Sequence, residues 1–341
     1  MNQVNKALIA LVIVQIIAVI VIYQPESETR ASGEPLLSDF APDTITRVQI
    51  QDDTGNQITV ARNSAGDWVL PEYDDYPVTG TKVTSLLGKI AGLQTTRLIT
   101  RSETSQRRLK VADDEFMRRI QLGNTDITGT AYTIFLGNAV GGSATHVRVD
   151  DEDQVFLVDN LRASDATTTL SSWIDTTYFT VPSENVVSVK VENPNGTFEF
   201  SKQGDNWTMT SPEADRDIDS SKISSFIGQI TTLRMQEPVS READDAYGLD
   251  TPQAAITIQV QEPVEDTDPE DDVTPEPVIT TYTYQIGTEQ EDGYIAKSSE
   301  SDYYVRIAAG VATVIIDKTL DNFLIELPPT PEAEVTEEPA N

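Results

Sequence analysis

The sequence predicts an α+β protein built of two tandem, mostly antiparallel β-rich repeats, each with short amphipathic helices, behind one N-terminal transmembrane helix. Three observations carry this prediction. An almost wholly apolar run lies near the start of the chain, two similar series of alternating strand patterns begin at Ile45 and Val186, and each series contains a helical pattern. With 341 residues, the chain has room for two domains of about 150 residues each.

The apolar run covers residues 7–23, ALIALVIVQIIAVIVIY, in which Gln15 is the single polar residue. At about 1.5 Å per residue, a helix over this run spans roughly 25 Å, the short end of a membrane crossing. The alternative is a cleaved signal peptide, for which Ala31 and Gly33 offer a weak cleavage site. We expect an uncleaved anchor that contacts membrane lipid through residues 7–23.

The charges that flank this run predict its orientation. Lys6 precedes it, whereas Glu26 and Glu28 follow it. The positive-inside rule therefore places the N-terminus in the cytoplasm and the rest of the chain outside. We expect a single-pass protein of the cell membrane with residues 1–23 as its anchor and extracytoplasmic C-terminal domains.

Three polar, proline-containing segments separate or follow the patterned regions: a linker at 24–42, an acidic stretch at 261–278 and an acidic tail at 328–341. The stretch at 261–278 stands between two strand patterns, which predicts a long solvated hairpin loop. Its carboxylates lack the ordered spacing of a dedicated Ca²⁺ loop, so whether it binds cations stays open. The composition of the tail is typical of a disordered segment.

The two repeats are predicted at residues 43–182 and 183–327. Each begins with two alternating strands around a Gly/Asn turn, followed by a Gly-Asp turn that leads to a tryptophan, Trp68 or Trp207. Alternation with a period of two, flanked by Gly and Asn, is the signature of a β-hairpin. Because both tryptophans take the same place, we expect them to pack the hairpin on its helix.

An amphipathic helix of about three turns follows in each repeat, TKVTSLLGKIAGL and SKISSFIGQITTL. Thr79 or Thr81, and Asp219 or Ser220, are the N-cap residues that we expect. The apolar residues recur at i, i+3, i+4 and i+7: Val83, Leu86, Leu87, Ile90 and Leu93 in the first, Ile223, Phe226, Ile227, Ile230 and Leu233 in the second.

The correspondence continues beyond the helices. The strand pattern at 131–137 matches 281–287, and the strand-turn-strand pattern at 146–159 matches 294–307. Both repeats then close with a segment that we predict to be helical, TTLSSWIDTTYF and GVATVIIDKTLDNFL. Each repeat therefore reads β-β-(β)-α-β-β-β-α, the order of an α+β domain.

These residues resemble a known family. The features are the membrane segment, the I-x-x-V-x-I strand at Ile45, the G-D-W-x-L turn, the short helix, and AYGLDTP at Ala246–Pro252 before AITIQV. Together they resemble the domain of unknown function (DUF) 4340, in two copies from Ile45 to about Pro328. The first copy carries Leu109-Lys110-Val111 where the second carries Tyr247-Gly248-Leu249.

The resemblance implies a bacterial or archaeal envelope protein without an assigned activity. Some relatives look like accessory parts of ABC-type transport systems, including systems tied to gliding motility. The family has no catalytic residue to carry over to this chain.

Composition argues against several functions. The 56 acidic residues outnumber 24 basic ones, and a net charge of −32 repels phosphate backbones, so we expect no nucleic-acid partner. The chain has no cysteine, and its one histidine, His146, is predicted to be an exposed strand residue. Neither a Walker A loop nor a G-x-S-x-G motif is present. We therefore assign no catalytic, cofactor-binding or metal-binding residue and expect a protein that is not an enzyme.

Clustered charges offer weaker signals. Asp113–Glu115 and Asp150–Asp153 fall in predicted turns, which favours solvated carboxylates. A basic cluster either faces an anionic lipid or an acidic partner, or pairs with neighbouring acids, and the second interpretation is favoured. The cluster consists of Arg97, Arg101, Arg107, Arg108, Lys110, Arg118 and Arg119.

The leading functional hypothesis is a non-catalytic, membrane-anchored extracytoplasmic interaction or scaffold protein with a protein partner, an accessory component of an ABC-transporter-like envelope complex. The alternative is a module that binds a small ligand or a cell-wall polymer in a cleft lined by Tyr132, Tyr282, Tyr303 and Tyr304. A hydrolase with paired acids is the third hypothesis. The sequence does not determine the partner, the oligomeric state or the arrangement of the repeats.

Overall fold

The computed structural model describes residues 33–123, 131–262 and 277–326. The chain divides into two compact units, Met1–Ile174 and Asp175–Asn341. Within the described ranges, no helix is long and apolar enough to cross a membrane. Three predicted features lie wholly or mostly outside the described residues: the membrane anchor at 1–23, the acidic loop at 261–278 and the tail at 328–341. The linker at 24–42 is described from residue 33 onward, where Pro35 pairs with Gln94 and Leu37 is buried.

The first unit is built on one sheet in which every strand pair is antiparallel. Its nine strands lie in the order β4-β3-β2-β1-β6-β7-β8-β9-β5. Their bounds are β1 Arg47–Asp52, β2 Gln57–Arg62, β3 Trp68–Leu70, β4 Tyr76–Pro77, β5 Leu98–Thr100, β6 Arg118–Gly123, β7 Tyr132–Val140, β8 Ala144–Val149 and β9 Val155–Asp159.

In the described part of this unit, two α-helices and three short 3-10 turns accompany the sheet. The helices are α1, Gly80–Ala91, and α2, Glu103–Leu109. The 3-10 turns are Pro42–Thr44, Pro71–Tyr73 and Leu170–Ser172. As the spacing predicts, α1 buries Val83, Leu86, Leu87 and Ile90.

The second unit repeats this plan. Its main sheet is antiparallel in the order β13-β12-β11-β16-β17-β18-β19-β15, and β10 and β14 form a separate two-stranded sheet. The strands are β10 Thr177–Thr180, β11 Val186–Asn193, β12 Gly196–Gln203, β13 Asn206–Ser211, β14 Thr232–Arg234, β15 Glu237–Ser240, β16 Ala254–Gln261, β17 Ile279–Gln290, β18 Gly293–Ser298 and β19 Tyr304–Ala308.

The helices of the second unit are α3, Ser220–Ile230, and α4, Ala309–Ile316, with 3-10 turns at Ser183–Asn185, Asp245–Tyr247 and Leu320–Phe323. The α3 helix buries Ile223, Phe226, Ile227 and Ile230. Its predicted N-cap Asp219 accepts hydrogen bonds from the backbone N–H groups of Ser221 and Lys222. Thr79 is the N-cap of α1, but its side chain makes no capping bond.

Each unit closes in the same way on its first helix. The carbonyl of Trp173 accepts a hydrogen bond from the N–H of Thr79 at 2.7 Å. The carbonyl of Phe323 accepts one from the N–H of Asp219 at 2.8 Å. Both aromatic side chains are almost fully buried, so each anchors the end of its unit in that unit's core.

The structure corrects two predictions: that the segment TTLSSWIDTTYF is helical, and that the two amphipathic helices extend to Leu93 and Leu233. The segment TTLSSWIDTTYF contains one 3-10 turn, Leu170–Ser172, and then runs into β10, because its threonines and aromatics favour extended backbone and Phe179 pairs with Leu233. Leu233 itself lies in β14 beyond the end of α3, and Leu93 follows the end of α1. Both leucines are buried, so their apolar character reflects the core and not the helix.

Candidate interaction surface

Helix α4 is unusually apolar for a helix at the surface. It reads AGVATVII, with Thr313 as the one residue that carries a polar side-chain group. Ala312, Ile315 and Ile316 are buried, whereas Val311 and Val314 remain 37% and 38% exposed. A surface helix normally turns charged or polar residues outward, so the two valines are not explained by the folding of the unit.

These valines border an apolar cleft of about 290 Å³ within the second unit. The C-terminal end of α3, strand β14 and α4 form its walls, and β14 pairs with β10 alone among the described strands. The lining residues are Gln229, Ile230, Thr232, Leu233, Arg234, Gly310, Val311, Val314 and Ile315.

The cleft contains no carboxylate, although the chain carries 56 acidic residues. Its one charged lining residue is Arg234, which is exposed and donates to Thr176 Oγ1 at 3.3 Å. An apolar floor next to a guanidinium group suits an apolar segment that also carries a carboxylate.

The first unit has no helix at the position of α4. After β9, the segment Asn160–Thr169 forms turns, and Asp165 pairs with Lys89 of α1 at 2.7 Å. Asp, Ser and Thr in this segment compete with the backbone for hydrogen bonds and favour turns over helix. The exposed apolar helix is therefore a feature of the second unit.

Comparison with known proteins places this fold in a family. The model of the family described as a domain of unknown function, DUF4340, matches residues 68–252, more than half of the chain. The chain belongs to the DUF4340 family. No curated protein matches it. No solved structure matches it either.

The DUF4340 match includes a segment in each unit that passes directly over a strand of the sheet. Leu109-Lys110-Val111 crosses at Gly137 of β7, and Tyr247-Gly248-Leu249 crosses at Gly287 of β17. Lys110 and Gly248 both adopt the left-handed conformation, with φ of 58° and 66°. The structure thus gives the two tripeptides, which differ in sequence, the same local geometry.

The basic cluster of this DUF4340 protein is only partly paired. Arg107 pairs with Asp114 at 2.7 Å, Arg118 lies 3.9 Å from Asp53, and Arg119 donates to Gln51. The other four side chains make no hydrogen bond or ion pair with any described residue; they belong to Arg97, Arg101, Arg108 and Lys110. The favoured interpretation, pairing with neighbouring acids, therefore holds for Arg107 and Arg118, two of the seven residues, whereas the partner of Arg119 is an amide.

The two acidic runs lie in exposed turns, and each provides a structural carboxylate. Asp113 pairs with Arg148, a residue only 3% exposed. Asp150 accepts a hydrogen bond from the N–H of Thr133 at 2.6 Å. Across the described ranges, no group of three or more His, Asp or Glu side chains is arranged to hold a metal ion.

His146 is buried, which corrects the prediction of an exposed strand histidine. It is 7% exposed, and its Nδ1 lies 2.7 Å from the carbonyl oxygen of Asn138. Both faces of β8 are covered, because the crossing segment lies over the face that carries His146 and Arg148. The alternating residue pattern of β8 does not reveal that a second segment of the chain covers this face.

The aromatic residues singled out from the sequence pack within their own units. Trp68 and Trp207 are both 7% exposed, as their shared structural role predicts. Tyr132 meets Phe40 edge to face, and Tyr282 meets Phe179 in the same way. Tyr303 is buried.

The fourth tyrosine of the predicted ligand cleft, Tyr304, stacks on Tyr247 at 5.1 Å between ring centroids. The hydroxyl of Tyr178 donates to the carbonyl of Tyr303 at 2.6 Å and accepts from the N–H of Ser298. These two hydrogen bonds fix the backbone at Ser298 and Tyr303. Burial raises the pKa of Tyr178 to about 12, so it stays protonated and keeps donating at neutral pH. These contacts give the tyrosines roles in packing.

Proposed function

We propose that this DUF4340 protein is a non-catalytic, membrane-anchored interaction or scaffold protein outside the cytoplasm. Residues 1–23 would form its single membrane helix. Its place would be that of an accessory component in an ABC-transporter-like envelope complex, with another subunit supplying nucleotide hydrolysis. The exposed apolar face of α4 beside an acid-free cleft is the observation that carries this proposal.

The proposal includes a tandem duplication of the DUF4340 domain. The strand orders β3-β2-β1-β6-β7-β8-β9-β5 and β13-β12-β11-β16-β17-β18-β19-β15 support it, because each position corresponds in sequence order. The two crossing segments at Gly137 and Gly287 support it further. A duplicated domain can acquire a new role in one copy, and α4 is one of the elements by which the second unit differs from the first.

The occupant of the cleft would be an extended segment of a partner protein with an apolar side chain and a nearby carboxylate. The apolar side chain would lie against Val311 and Val314, and the carboxylate would meet Arg234. The backbone of the segment would pair with β14, which has β10 as its one described strand neighbour. Adding a strand to an exposed edge is a recurrent way in which proteins hold peptides.

The experiment tests contact at the cleft in the cells that produce the protein. A photo-crosslinking residue replaces Val314 in the full-length chain, and the captured protein is identified. We expect the same partner to co-purify with the native chain and to be lost in the V311D/V314D double variant, since two charges would enter an apolar contact.

The matched control is Val140→Asp, because Val140 is a similarly exposed valine, at 44%, in the first unit. The control should retain the partner, and both variants should unfold at the temperature of the native chain. If V311D/V314D retains the partner in full, the cleft is not the binding site. The proposal of a scaffold is then left without its main support.

Membrane anchoring has its own test. We expect the full chain to stay in the membrane fraction through high-salt and alkaline washes, and to require detergent for release. A chain that starts at Glu34 should be soluble after the same treatment. Recovery from native cells of an intact protein that lacks residues 1–33 would favour a cleaved signal peptide.

A further inference from the structure

The chain enters the first unit beside the strand at one edge of its sheet. The backbone N–H of Leu36 donates to the carbonyl of Leu93 at 2.8 Å, and the N–H of Thr95 donates to the carbonyl of Glu34 at 2.9 Å. The edge strand β5 begins three residues after Thr95. The residues that precede Glu34 are therefore attached to the unit next to β5.

Only a short stretch of chain separates this point from the proposed membrane helix. Ten residues, 24–33, lie between the apolar run and Glu34. Ten residues reach about 36 Å when fully extended. This tether keeps the β5 edge near the membrane surface.

The β5 edge is basic and exposes one large apolar side chain. Arg97, Ile99 and Arg101 are exposed, whereas Leu98 and Thr100 between them are half-buried. Ile99 is 45% exposed. The side chains of the two arginines make no hydrogen bond or ion pair with any described residue. Folding of the unit therefore leaves two charges and an isoleucine available at this edge.

The sequence around β5 is free of acidic residues. Residues 76–102 contain no Asp or Glu and four basic residues, and no other run without an acid is as long in this chain of 56 acidic residues. Of the two acids next to this run in the fold, Glu34 makes no ion pair with a described residue, and Glu103 lies 3.8 Å from Arg107. The charge of Arg97 and Arg101 is thus not neutralised within the described part of the unit.

The second unit has a different edge at the corresponding position. Its strand β15 also ends the sheet, but none of its residues is exposed. Its one charged residue, Glu237, pairs with Arg306. Exposed charges commonly protect an edge strand from pairing with other chains, but β15 shows that this fold does not require them. The basic edge with Ile99 belongs to the unit that follows the proposed membrane helix.

We propose that the β5 edge, residues 97–101, docks on anionic phospholipid headgroups of the membrane in which the chain is anchored. This inference rests on the membrane anchor of the proposed function. Arg97 and Arg101 pair with headgroup phosphates, which guanidinium groups bind in a bidentate manner. Ile99 enters the boundary between headgroups and acyl chains. Docking fixes the orientation of the first unit on the membrane.

The position of this edge favours lipid over an acidic protein. The tether holds β5 within about 36 Å of a continuous layer of phosphates, whereas a protein has to arrive by diffusion. The isoleucine between two arginines also matches a surface that is anionic outside and apolar beneath.

The test uses the full-length chain in two kinds of nanodisc, one of phosphatidylcholine and one of phosphatidylcholine mixed with phosphatidylglycerol. The chain has no cysteine, so Thr104→Cys, at an exposed position three residues after Arg101, accepts a single fluorophore. A nitroxide quencher on the lipid headgroups then reports how close the β5 edge lies. We expect stronger quenching in the discs that contain phosphatidylglycerol.

The direction of this change is informative because the chain has a net charge of −32. Anionic lipid repels the average surface of such a chain and would by itself lower the quenching. Stronger quenching therefore requires a local basic surface, and high salt should abolish it. Equal or weaker quenching in the phosphatidylglycerol discs would overturn the proposal.

Single substitutions test the arginines. A basic residue near an anionic surface favours the docked state about fivefold, so Arg97→Gln and Arg101→Gln should each lower the ratio of docked to free chains by that factor. Arg47→Gln is the matched control, because Arg47 is exposed in β1, five strands and about 24 Å from β5 in the same sheet. Equal quenching in the three variants would show that docking does not use this edge.

Ile99→Ser tests the apolar contact without a change of charge. It should weaken docking, whereas Val140→Ser, at a valine of the same unit that is 44% exposed, should not. An I99S chain that docks as fully as the native chain would overturn the contact of Ile99 with lipid. In cells, a photo-crosslink from position 99 to a protein and not to lipid would overturn the choice of a lipid partner.

Failure of docking is distinguishable from failure of the membrane anchor. A chain without an anchor would separate from both kinds of nanodisc during gel filtration. A chain that stays in both and shows the same quenching in each keeps its anchor and does not dock.

Discussion

Asp52 and Asn193 occupy corresponding positions in the two units. Both side chains make the same hydrogen bond in a turn, Asp52 through a carboxylate and Asn193 through an amide. Each is the last residue of its strand, β1 or β11, and accepts a hydrogen bond from the N–H two residues on, from Thr54 at 3.0 Å and from Asn195 at 2.8 Å. Asp52 also accepts from the hydroxyl of Thr168 at 2.8 Å. Asp52 thus links the β1–β2 hairpin to the segment that follows β9 in the first unit.

In the second unit, the amide of Asn193 donates to the carbonyls of Ile315 and Lys318, at 2.8 and 3.0 Å. An amide suits carbonyl partners, whereas a carboxylate suits hydroxyl and N–H partners. The difference between Asp and Asn at this position therefore follows from the segment that each must hold.

The carboxylate of Asp52 makes the stability of the first unit dependent on pH. Burial alone would raise the pKa of Asp52, but hydrogen bonds from Thr54, Thr168 and Asn56 outweigh it and hold the pKa well below its ordinary value. A carboxyl group with a depressed pKa contributes stability above its unfolded pKa of about 3.9, and this contribution is lost as the pH falls toward the folded pKa.

We predict that Asp52→Asn lowers the free energy of unfolding by about 1–3 kcal/mol at pH 7, because an amide nitrogen cannot accept from Asn56 and Thr168. The difference from the native chain should shrink below about pH 4. Urea unfolding of both chains at pH 7 and pH 3 measures this difference in the free energy of unfolding. Asp53→Asn is the control, since Asp53 makes only a 3.9 Å contact with Arg118. A penalty that is the same at both pH values would contradict this explanation.

At the scale of elements, the crossing segments explain why two strands carry glycine at corresponding positions. A Cβ on Gly137 would lie 2.1 Å from the carbonyl oxygen of Leu109, and one on Gly287 would lie 2.0 Å from that of Tyr247. The main chain of the crossing segment therefore touches the strand directly. The sequence shows both glycines, but the reason for them is a contact between distant parts of the chain.

We predict that Gly137→Ala and Gly287→Ala each lower the free energy of unfolding by about 1–3 kcal/mol or more, because rigid backbone atoms must move to admit the methyl group. Thermal unfolding of the full chain measures the effect.

Gly88 of α1 and Gly228 of α3 provide the controls for this prediction. A Cβ at either position would meet nothing within 4 Å. Their replacement by alanine should stabilise the protein by about 0.5–1 kcal/mol, since glycine is unfavourable inside a helix. Equal effects at strand and helix positions would contradict the close approach.

The elements that sequence patterns did not reveal are the ones without strong periodicity. Strands β5 and β6 and helix α2 overlap the basic cluster and show no clear amphipathic pattern. The short strand β5 exists because it pairs with β9 at the edge of the sheet. A strand of this kind depends on its neighbour more than on its own residues.

At the scale of the whole molecule, the position of the division between units matters for folding. The contacts divide the chain between Ile174 and Asp175, whereas the sequence places the boundary between 182 and 183. The residues between these two positions include β10, which pairs with β14 of the second unit. Tyr178 and Phe179 of β10 are buried there.

We predict that residues 33–174 and 175–326 each fold when expressed separately, because each contains its own sheet, helices and buried aromatic closure. A chain of residues 183–326 should unfold at a lower temperature than 175–326, since it loses β10 and the hydrogen bonds of Tyr178. Circular dichroism and thermal unfolding compare the three chains. Equal stability of the two second-unit chains would show that the earlier division has no role in folding.

The sequence by itself determined the α+β class, the hairpins ending at Trp68 and Trp207, the buried faces of α1 and α3, and membership of the DUF4340 family. These features depend on periodicity and turn residues, which act between neighbours along the chain. Tertiary structure decided the burial of His146, the crossings at Gly137 and Gly287, and the exposure of α4. Each of these depends on what a distant segment covers or leaves open, and a local pattern does not contain that information.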